Sequence, residues 1–277
     1  MKVFLSFDME GVAGIVDWSQ CRPGSPAYDV GCALTLGEVN AAIGGAVAAG
    51  ATDIVVNDSH GAMFNLDPRA IRSPATYLSG KHKPGYMMQG LDETFDAVFF
   101  VGYHGSISGQ PSTLSHTYNP EVISGVRLGQ EYVGESGINA LVAWDFGVPI
   151  ALLSGDAVTL EEAKAFAPDC VGVTTKGSVS RFGAHSLRPE VACERIADSA
   201  RCAVEAVADG AIGPPRIESP AALEVELQTA DMAEVATWVK GVERSAPRAV
   251  RIAGASGRDI FGSFVALNYI TRQAGGR

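Results

Sequence analysis

Short apolar runs alternate along the chain with longer stretches whose apolar residues recur at helical spacing. The short runs are rich in valine, isoleucine and phenylalanine and are bounded by glycine, proline or polar residues, which is typical of buried strands. They predict strands at residues 3–7, 54–57, 75–78, 97–103 and 149–153. Strands that alternate with helices favour a parallel sheet covered by those helices. We therefore predict an α/β fold with a doubly wound, mostly parallel sheet and helices on both faces.

The helical stretches connect these strands. Residues 31–49 are rich in alanine and carry Val39, Ile43 and Val47 at helical spacing, so they predict a crossover helix. Further helices are predicted at residues 135–144 and 189–208. Residues 122–133 differ, because two short apolar runs there flank a turn and predict a β-hairpin.

The C-terminal part begins after a segment rich in glycine and proline. Residues 212–220 hold one glycine and three prolines, which predicts a linker. We predict a larger α/β domain at residues 1–211 and a smaller α/β subdomain at residues 221–277. In the smaller part the pattern predicts strands at 222–227 and 249–253 and helices at 231–239 and 260–271.

Charge and cysteine content exclude several classes of partner. Among 277 residues, 21 are lysine or arginine and 31 are aspartate or glutamate, so the formal net charge is −10 and we expect no nucleic-acid partner. Five cysteines without a C-x-x-C pair indicate a reducing cytoplasm rather than a disulfide framework.

The N-terminal segment does not have the pattern of a signal peptide. Asp8 and Glu10 directly follow the first apolar run, and the apolar region of a signal peptide does not contain such charges. No apolar stretch approaches the roughly 20 residues that span a bilayer, so we expect no membrane partner.

Several candidate metal ligands follow the predicted strands. Asp8 and Glu10 come directly after the first strand, His60 follows the second and His104 the fourth. Ligands in open α/β sheets bind at the carboxyl ends of the strands, so these side chains are expected to converge. Carboxylates with imidazoles are typical of a zinc or manganese hydrolase, often with one carboxylate bridging two ions. Taken singly, each residue is equally well explained as an exposed turn acid or a loop histidine. Their joint occurrence favours a metal site.

Five ordered segments carry a family resemblance. They read SFDMEG at residues 6–11, VNDSH at 56–60, FVGYH at 100–104, LSH at 114–116 and VGESGINA at 133–140. Together they resemble the DppA-type D-aminopeptidases, a family of zinc metallopeptidases with a doubly wound α/β domain. The resemblance implies that residues 1–211 form a metal-binding catalytic domain.

The resemblance also implies a ligand set for two divalent metal ions, expected to be Zn²⁺. The implied ligands are Asp8 as the bridge, Glu10 and His60 for one ion, and His104 and Glu135 for the other. Reasoning from strand ends alone misses Glu135, because this residue begins a predicted helix. At that position the helix dipole also favours an anion.

Two further residues are candidates for the reaction itself. The resemblance implies that His116 is the catalytic group, either as a proton carrier or as a nucleophile. Lys176 lies in a segment that we interpret as a loop. If the loop closes over the site, its ammonium group stabilises an oxyanion, and otherwise it is a solvated lysine.

The implied activity is hydrolysis of short peptides with a free N-terminal D-amino acid, in a ring-like homo-oligomer for which a decamer is one arrangement. Two alternatives stay open on the residues alone. The same ligands suit another binuclear amidohydrolase or a phosphoesterase, although the chain lacks a phosphate-binding fingerprint. A non-catalytic, metal-dependent assembly protein is the other alternative, although structural zinc sites are usually rich in cysteine.

Overall fold

The structure is a computed structural model that describes residues 1–275, and its strands form two sheets. The strands in chain order are β1 (Lys2–Phe7), β2 (Asp53–Asp58), β3 (Thr76–Leu78), β4 (Ala97–Tyr103), β5 (Ile123–Leu128), β6 (Glu131–Tyr132), β7 (Ile150–Asp156), β8 (Val171–Ser180), β9 (Gly183–Ser186), β10 (Ala222–Leu227), β11 (Val242–Ala246) and β12 (Ala249–Ala253). The helices are α1 (Pro26–Ala48), α2 (Glu135–Phe146), α3 (Ala157–Ala163), α4 (Pro189–Ala208), α5 (Ala230–Ala236) and α6 (Gly257–Thr271).

The larger sheet has the order β3-β2-β1-β4-β7-β8-β9, and every neighbouring pair in it is parallel except β8 with β9. This confirms the predicted fold class and the five predicted strands of this sheet. Strands β8 and β9 were not predicted, because threonine, serine, glycine and lysine interrupt the apolar pattern there. They form the last, partly exposed edge of the sheet.

The side chains of β1 show how the larger sheet divides the core. Val3, Leu5 and Phe7 pack on one face, in the cluster that includes residues of α1 and α4. Phe4 lies on the opposite face, in the cluster that includes residues of α2 and α6. Alternation along a strand buried on both faces produces this split, which places helices on both sides as predicted.

Helix α1 begins five residues earlier than predicted. The Ser25 hydroxyl accepts a hydrogen bond from the Tyr28 N–H, and Pro26 occupies the first turn, so the helix has a well-formed N-terminus. Helix α1 has 23 residues, and its most apolar stretch of 18 residues has a mean hydropathy of 1.4, so by length and composition it passes for a membrane span, contrary to the expectation that no stretch comes near it. In this fold Val39, Ala42, Ile43 and Ala46 pack against α4 and the sheet and Glu38 is buried, whereas Val30 and Val47 are exposed.

The smaller sheet is antiparallel, with the order β11-β12-β10-β5-β6. The predicted hairpin of residues 122–133 is present as β5 and β6, and β5 pairs with β10, with Val126 opposite Val225. A segment from the middle of the sequence thus completes the sheet of the C-terminal residues. The division at residues 212–220 stays a prediction.

Candidate metal centre

Four of the sequence-predicted site residues lie at the carboxyl ends of neighbouring strands. Asp8 and Glu10 follow β1, His60 follows β2 and His104 follows β4, and all four are buried. Glu135, the first residue of α2, joins them from the other side of the sheet edge. The order of the strands brings these residues together, since β1 lies between β2 and β4.

Two glycines allow the loop after β1 to lie against the end of β4. The Gly11 N–H donates to the Gly102 carbonyl at 2.8 Å. A Cβ on Gly11 would lie 1.7 Å from the Tyr103 carbonyl oxygen, and Gly102 has φ +73° with the Asp8 carbonyl against it. Any larger residue at either position would push apart the segments that carry Asp8 and His104.

The carboxylate of Asp8 faces two histidines with its two different oxygens. His60 Nδ1 lies 2.9 Å from Asp8 Oδ1, and His104 Nε2 lies 3.4 Å from Asp8 Oδ2. Glu10 Oε2 is 3.0 Å from the same His60 nitrogen, and Glu135 Oε1 is 3.7 Å from His104 Nε2. The two Asp8 oxygens therefore face two different histidines, an arrangement that permits one carboxylate to contact two cations.

His116 reaches the same cluster from the loop after β4. Its Nε2 lies 3.5 Å from Glu135 Oε1, and its ring stacks on that of His104. Ligand atoms of His104, His116 and Glu135 lie within 4.8 Å of one another, as do those of Asp8, Glu10 and His104. The geometry thus permits His116 either to touch a cation or to face a substrate beside it.

Each of the three histidines is oriented by a backbone carbonyl. The Nε2–H of His60 donates to the Cys21 carbonyl at 2.8 Å. The Nδ1–H of His104 donates to Gly105, and that of His116 donates to Leu114, both at 3.0 Å. In the neutral ring this leaves the opposite nitrogen with its lone pair directed at the carboxylates, as metal-binding histidines require.

Unpartnered buried atoms show that the residues fit a cation. Asp8 Oδ2, Glu10 Oε2 and His104 Nε2 are buried and have no hydrogen-bond partner among residues 1–275. Buried polar atoms are nearly always paired, so three orphaned ligand atoms in one cluster call for a bound group. Carboxylate oxygens and imidazole nitrogens form a donor set that suits Zn²⁺ or Mn²⁺.

The electrostatics of the cluster favour positive charge. Burial acts to raise the pKa of Asp8, but the neighbouring imidazoles of His104 and His60 outweigh it and hold that pKa well below its usual range. Burial acts to lower the pKa values of His60 and His104, but the surrounding carboxylates raise both well above the ordinary histidine value. A site that stabilises imidazolium so strongly would also attract a metal cation.

Lys176 lies on strand β8 rather than in a loop, and this corrects the sequence-based expectation of a loop lysine over the site. Its ammonium group is buried and donates to the backbone carbonyls of Glu10, Val12 and Ile15. All three of its hydrogens are thereby used. Lys176 holds the loop that carries the first two carboxylates, and it does not line the cavity described next.

A cavity of about 300 Å³ opens onto the cluster. Its walls include Asp8, Glu10, His116 and Glu135, and also residues of the C-terminal helix α6. Sequence reasoning did not find this wall, because it comes from a segment more than 120 positions after Glu135 and carries no recognisable motif. Residues of the C-terminal part therefore contribute to the space that a ligand occupies.

Backbone strain is concentrated around the cavity. Within residues 1–275, four residues other than glycine have positive φ, namely Met63 (63°), Tyr86 (46°), Leu114 (54°) and Tyr118 (57°). Met63 closes a turn with the His60 carbonyl, Leu114 accepts from His116, and the two tyrosines line the cavity. Such conformations cost about 1–3 kcal/mol each and cluster at functional sites.

Comparison with known proteins gives concordant matches. A family model described as D-aminopeptidase matches residues 1–266. A D-aminopeptidase from Bacillus subtilis (strain 168) is 34% identical over 208 residues, which cover 74% of this chain and 74% of that protein. The solved structure of a Zn-dependent D-aminopeptidase from Bacillus subtilis, DppA, described as a self-compartmentalizing protease, has a TM-score of 0.92 at 27% identity and covers 99% of this chain and 98% of its own.

Proposed function

The chain belongs to the D-aminopeptidase family, and from this premise we propose that it is a zinc-dependent hydrolase that removes D-amino acids from the free N-terminus of short peptides. The match over nearly the whole chain to a zinc-dependent member supports this activity. Family membership does not favour the alternatives of a phosphoesterase, another amidohydrolase or a non-catalytic assembly protein.

The observation that carries the proposal is the position of Asp8 between two histidines. We propose that Asp8, Glu10 and His60 hold one zinc ion and that Asp8, His104 and Glu135 hold a second. The opposed contacts of the two Asp8 oxygens support a bridging role. The unpartnered atoms of the same residues support the occupancy of both sites.

The residues around the metal centre have different proposed roles in hydrolysis. Bound zinc ions supply a nucleophile at neutral pH and polarise the scissile carbonyl. The Leu114 carbonyl holds the Nδ1–H of His116, so that Nε2 is available to take up a proton and return it to the leaving amine, or to attack directly. The free N-terminal amine of the substrate would lie beside the metal ligands and thereby orient its first carbonyl.

We further propose that the protein acts as a homo-oligomer in the cytoplasm. The similar Bacillus protein is described as self-compartmentalizing, which supports assembly of several chains, with a ring-like decamer as the specific arrangement. The edge strand β6 and the exposed residues 109–111 are the proposed subunit contacts. All five cysteines are free thiols, which fits a reducing compartment.

A substrate panel tests the proposed activity. At equal zinc loading we expect a D-alanyl anilide to be hydrolysed faster than its L-enantiomer by about tenfold or more, which corresponds to about 1.4 kcal/mol of transition-state discrimination. N-acetylation of the same substrate should abolish hydrolysis, because it removes the ammonium group. A faster L-anilide would contradict the D-specific assignment, and preferred hydrolysis of an aryl phosphate would contradict the peptidase assignment.

A further inference from the structure

The cavity beside the metal centre has a basic end as well as an acidic one. Lys81 and Arg272 both line it. Neither side chain forms a hydrogen bond or an ion pair with any of residues 1–275, although the chain as a whole carries an excess of acidic groups. Burial lowers the pKa of Lys81, and the nearby positive charge of Arg272 lowers it further. Two neighbouring cations that have no counter-ion within residues 1–275 attract an anion.

A row of tyrosine rings connects the two ends of the cavity. The N–H of Tyr118 donates to Glu135 at 2.8 Å, which anchors this residue at the acidic end. The ring of Tyr118 stacks on Tyr86 with 5.3 Å between centroids, and Tyr86 meets Tyr269 edge-on at 5.9 Å. Tyr269 lies on α6, one turn before Arg272. The cavity thus runs from the metal ligands along an aromatic wall to the two cations.

Unpartnered polar groups lie along the same wall. Asn268 is only 4% exposed, lines the cavity, and has no partner for its Oδ1 among the described residues. Tyr269 also lines the cavity, and its hydroxyl has no hydrogen-bond partner within residues 1–275. Buried polar atoms of this kind are normally satisfied. A peptide group and a carboxylate in the cavity would satisfy both of them.

We propose that Lys81 and Arg272 bind the C-terminal carboxylate of a short peptide substrate whose N-terminal residue lies at the metal centre. This inference rests on the proposed function and adds the recognition of the second end of the substrate. The metal centre receives the reacting end of the peptide, and the two cations supply a partner for the carboxylate at its other end. Its volume of about 300 Å³ is at the lower limit of ligand sites, so only a short peptide can occupy both ends.

Comparison of D-alanyl-D-alanine with its C-terminal amide tests the proposal on the zinc-loaded enzyme. We expect wild type to favour the free acid over the amide in kcat/KM by about tenfold, since the cations are partly exposed and each contact is screened. Lys81→Met and Arg272→Met should each reduce this ratio by about threefold, and the double variant should bring it close to one. Lys240→Met removes one exposed charge from another part of the surface and should leave the ratio unchanged.

The outcomes separate this inference from the proposed function. An unchanged ratio in the double variant, or a wild type that treats acid and amide equally, would overturn the carboxylate site. Arg22 also lines the cavity, where it stacks on Trp18. If the preference for acid over amide disappeared in Arg22→Met but persisted in the Lys81 and Arg272 variants, the assignment to Lys81 and Arg272 would be overturned. If neither compound were hydrolysed, the proposed function would fail. Calorimetry of the two compounds would then test the carboxylate site by binding alone. A higher affinity of wild type for the acid than for the amide, with no such difference in the double variant, would support the site. Equal affinities of wild type for the two compounds would overturn it.

Discussion

The imidazole rings of His104 and His116 lie face to face, with 4.4 Å between their centroids and 9° between their planes. Trp18 packs edge-on against the ring of His116, with 5.3 Å between centroids. His116 is therefore fixed between a proposed zinc ligand and an aromatic wall, with its Nε2 turned into the site. A histidine held in this way loses little entropy when it transfers a proton or attacks a carbonyl.

Replacement of His116 tests whether this residue acts on the substrate or on the metal. In His116→Ala we expect hydrolysis of a D-alanyl anilide to fall by at least about a hundredfold, the usual effect of losing a proton-transfer group. Zinc content and thermal stability should stay close to wild type. His185→Ala, at an exposed position on β9, is the matched control. Loss of one zinc ion from His116→Ala would instead make this histidine a ligand.

Lys176 is expected to position the first two carboxylates. In Lys176→Met three buried carbonyls lose their donor, and we expect a loss of about 3 kcal/mol in unfolding free energy. Because one of these carbonyls belongs to Glu10, zinc affinity should also fall by roughly 10- to 100-fold, as for other residues that orient metal ligands. The exposed substitution Lys164→Met controls for loss of charge. Zinc affinity equal to that of wild type in Lys176→Met would contradict the positioning role.

Glu38 gives the protein a defined pH dependence. Burial raises the pKa of Glu38 to about 7, although the Ala13 N–H donates to its carboxylate. The folded state therefore holds the proton more tightly than the unfolded chain. The stability that this proton provides is complete below the unfolded pKa of about 4.5 and is lost as pH rises through about 7.

Glu38→Gln should remove this dependence. The unfolding free energy of Glu38→Gln minus that of wild type should increase by up to about 3 kcal/mol as the pH rises from 4.5 to 7. Denaturant unfolding of both proteins across this range measures the difference, and Glu131→Gln at an exposed position is the control. A constant difference between Glu38→Gln and wild type at all pH values would show that Glu38 does not titrate in this range.

The ends of buried strands could be located from sequence because β1, β2 and β4 are short apolar runs followed directly by polar residues. This placed Asp8, His60 and His104 at one edge of a parallel sheet. Glu135 begins a helix and His116 lies in a loop, where periodicity carries no information about position. These two residues were identified only through the family resemblance of residues 114–116 and 133–140.

Other features depend on contacts that sequence patterns do not report. Strand β8 is polar at many positions because it lies near an edge of the sheet, so the sequence pattern predicts a loop at Lys176 although its stem and charge are buried. Lys81 and Arg272 are 191 positions apart, and only the packing of α6 beside the metal centre brings them to one cavity. The pairing of β5 with β10 is similarly distant in sequence.

The central claim is that Asp8 bridges two zinc ions, and the metal content of purified variants tests it most directly. Wild type should hold about two equivalents of zinc per chain, Glu10→Ala about one, and Asp8→Ala close to none, because Asp8 is the proposed ligand of both ions. Asp53→Ala, an exposed carboxylate at the start of β2, should match wild type. Retention of both ions by a folded Asp8→Ala protein would contradict the bridging role and with it the proposed centre.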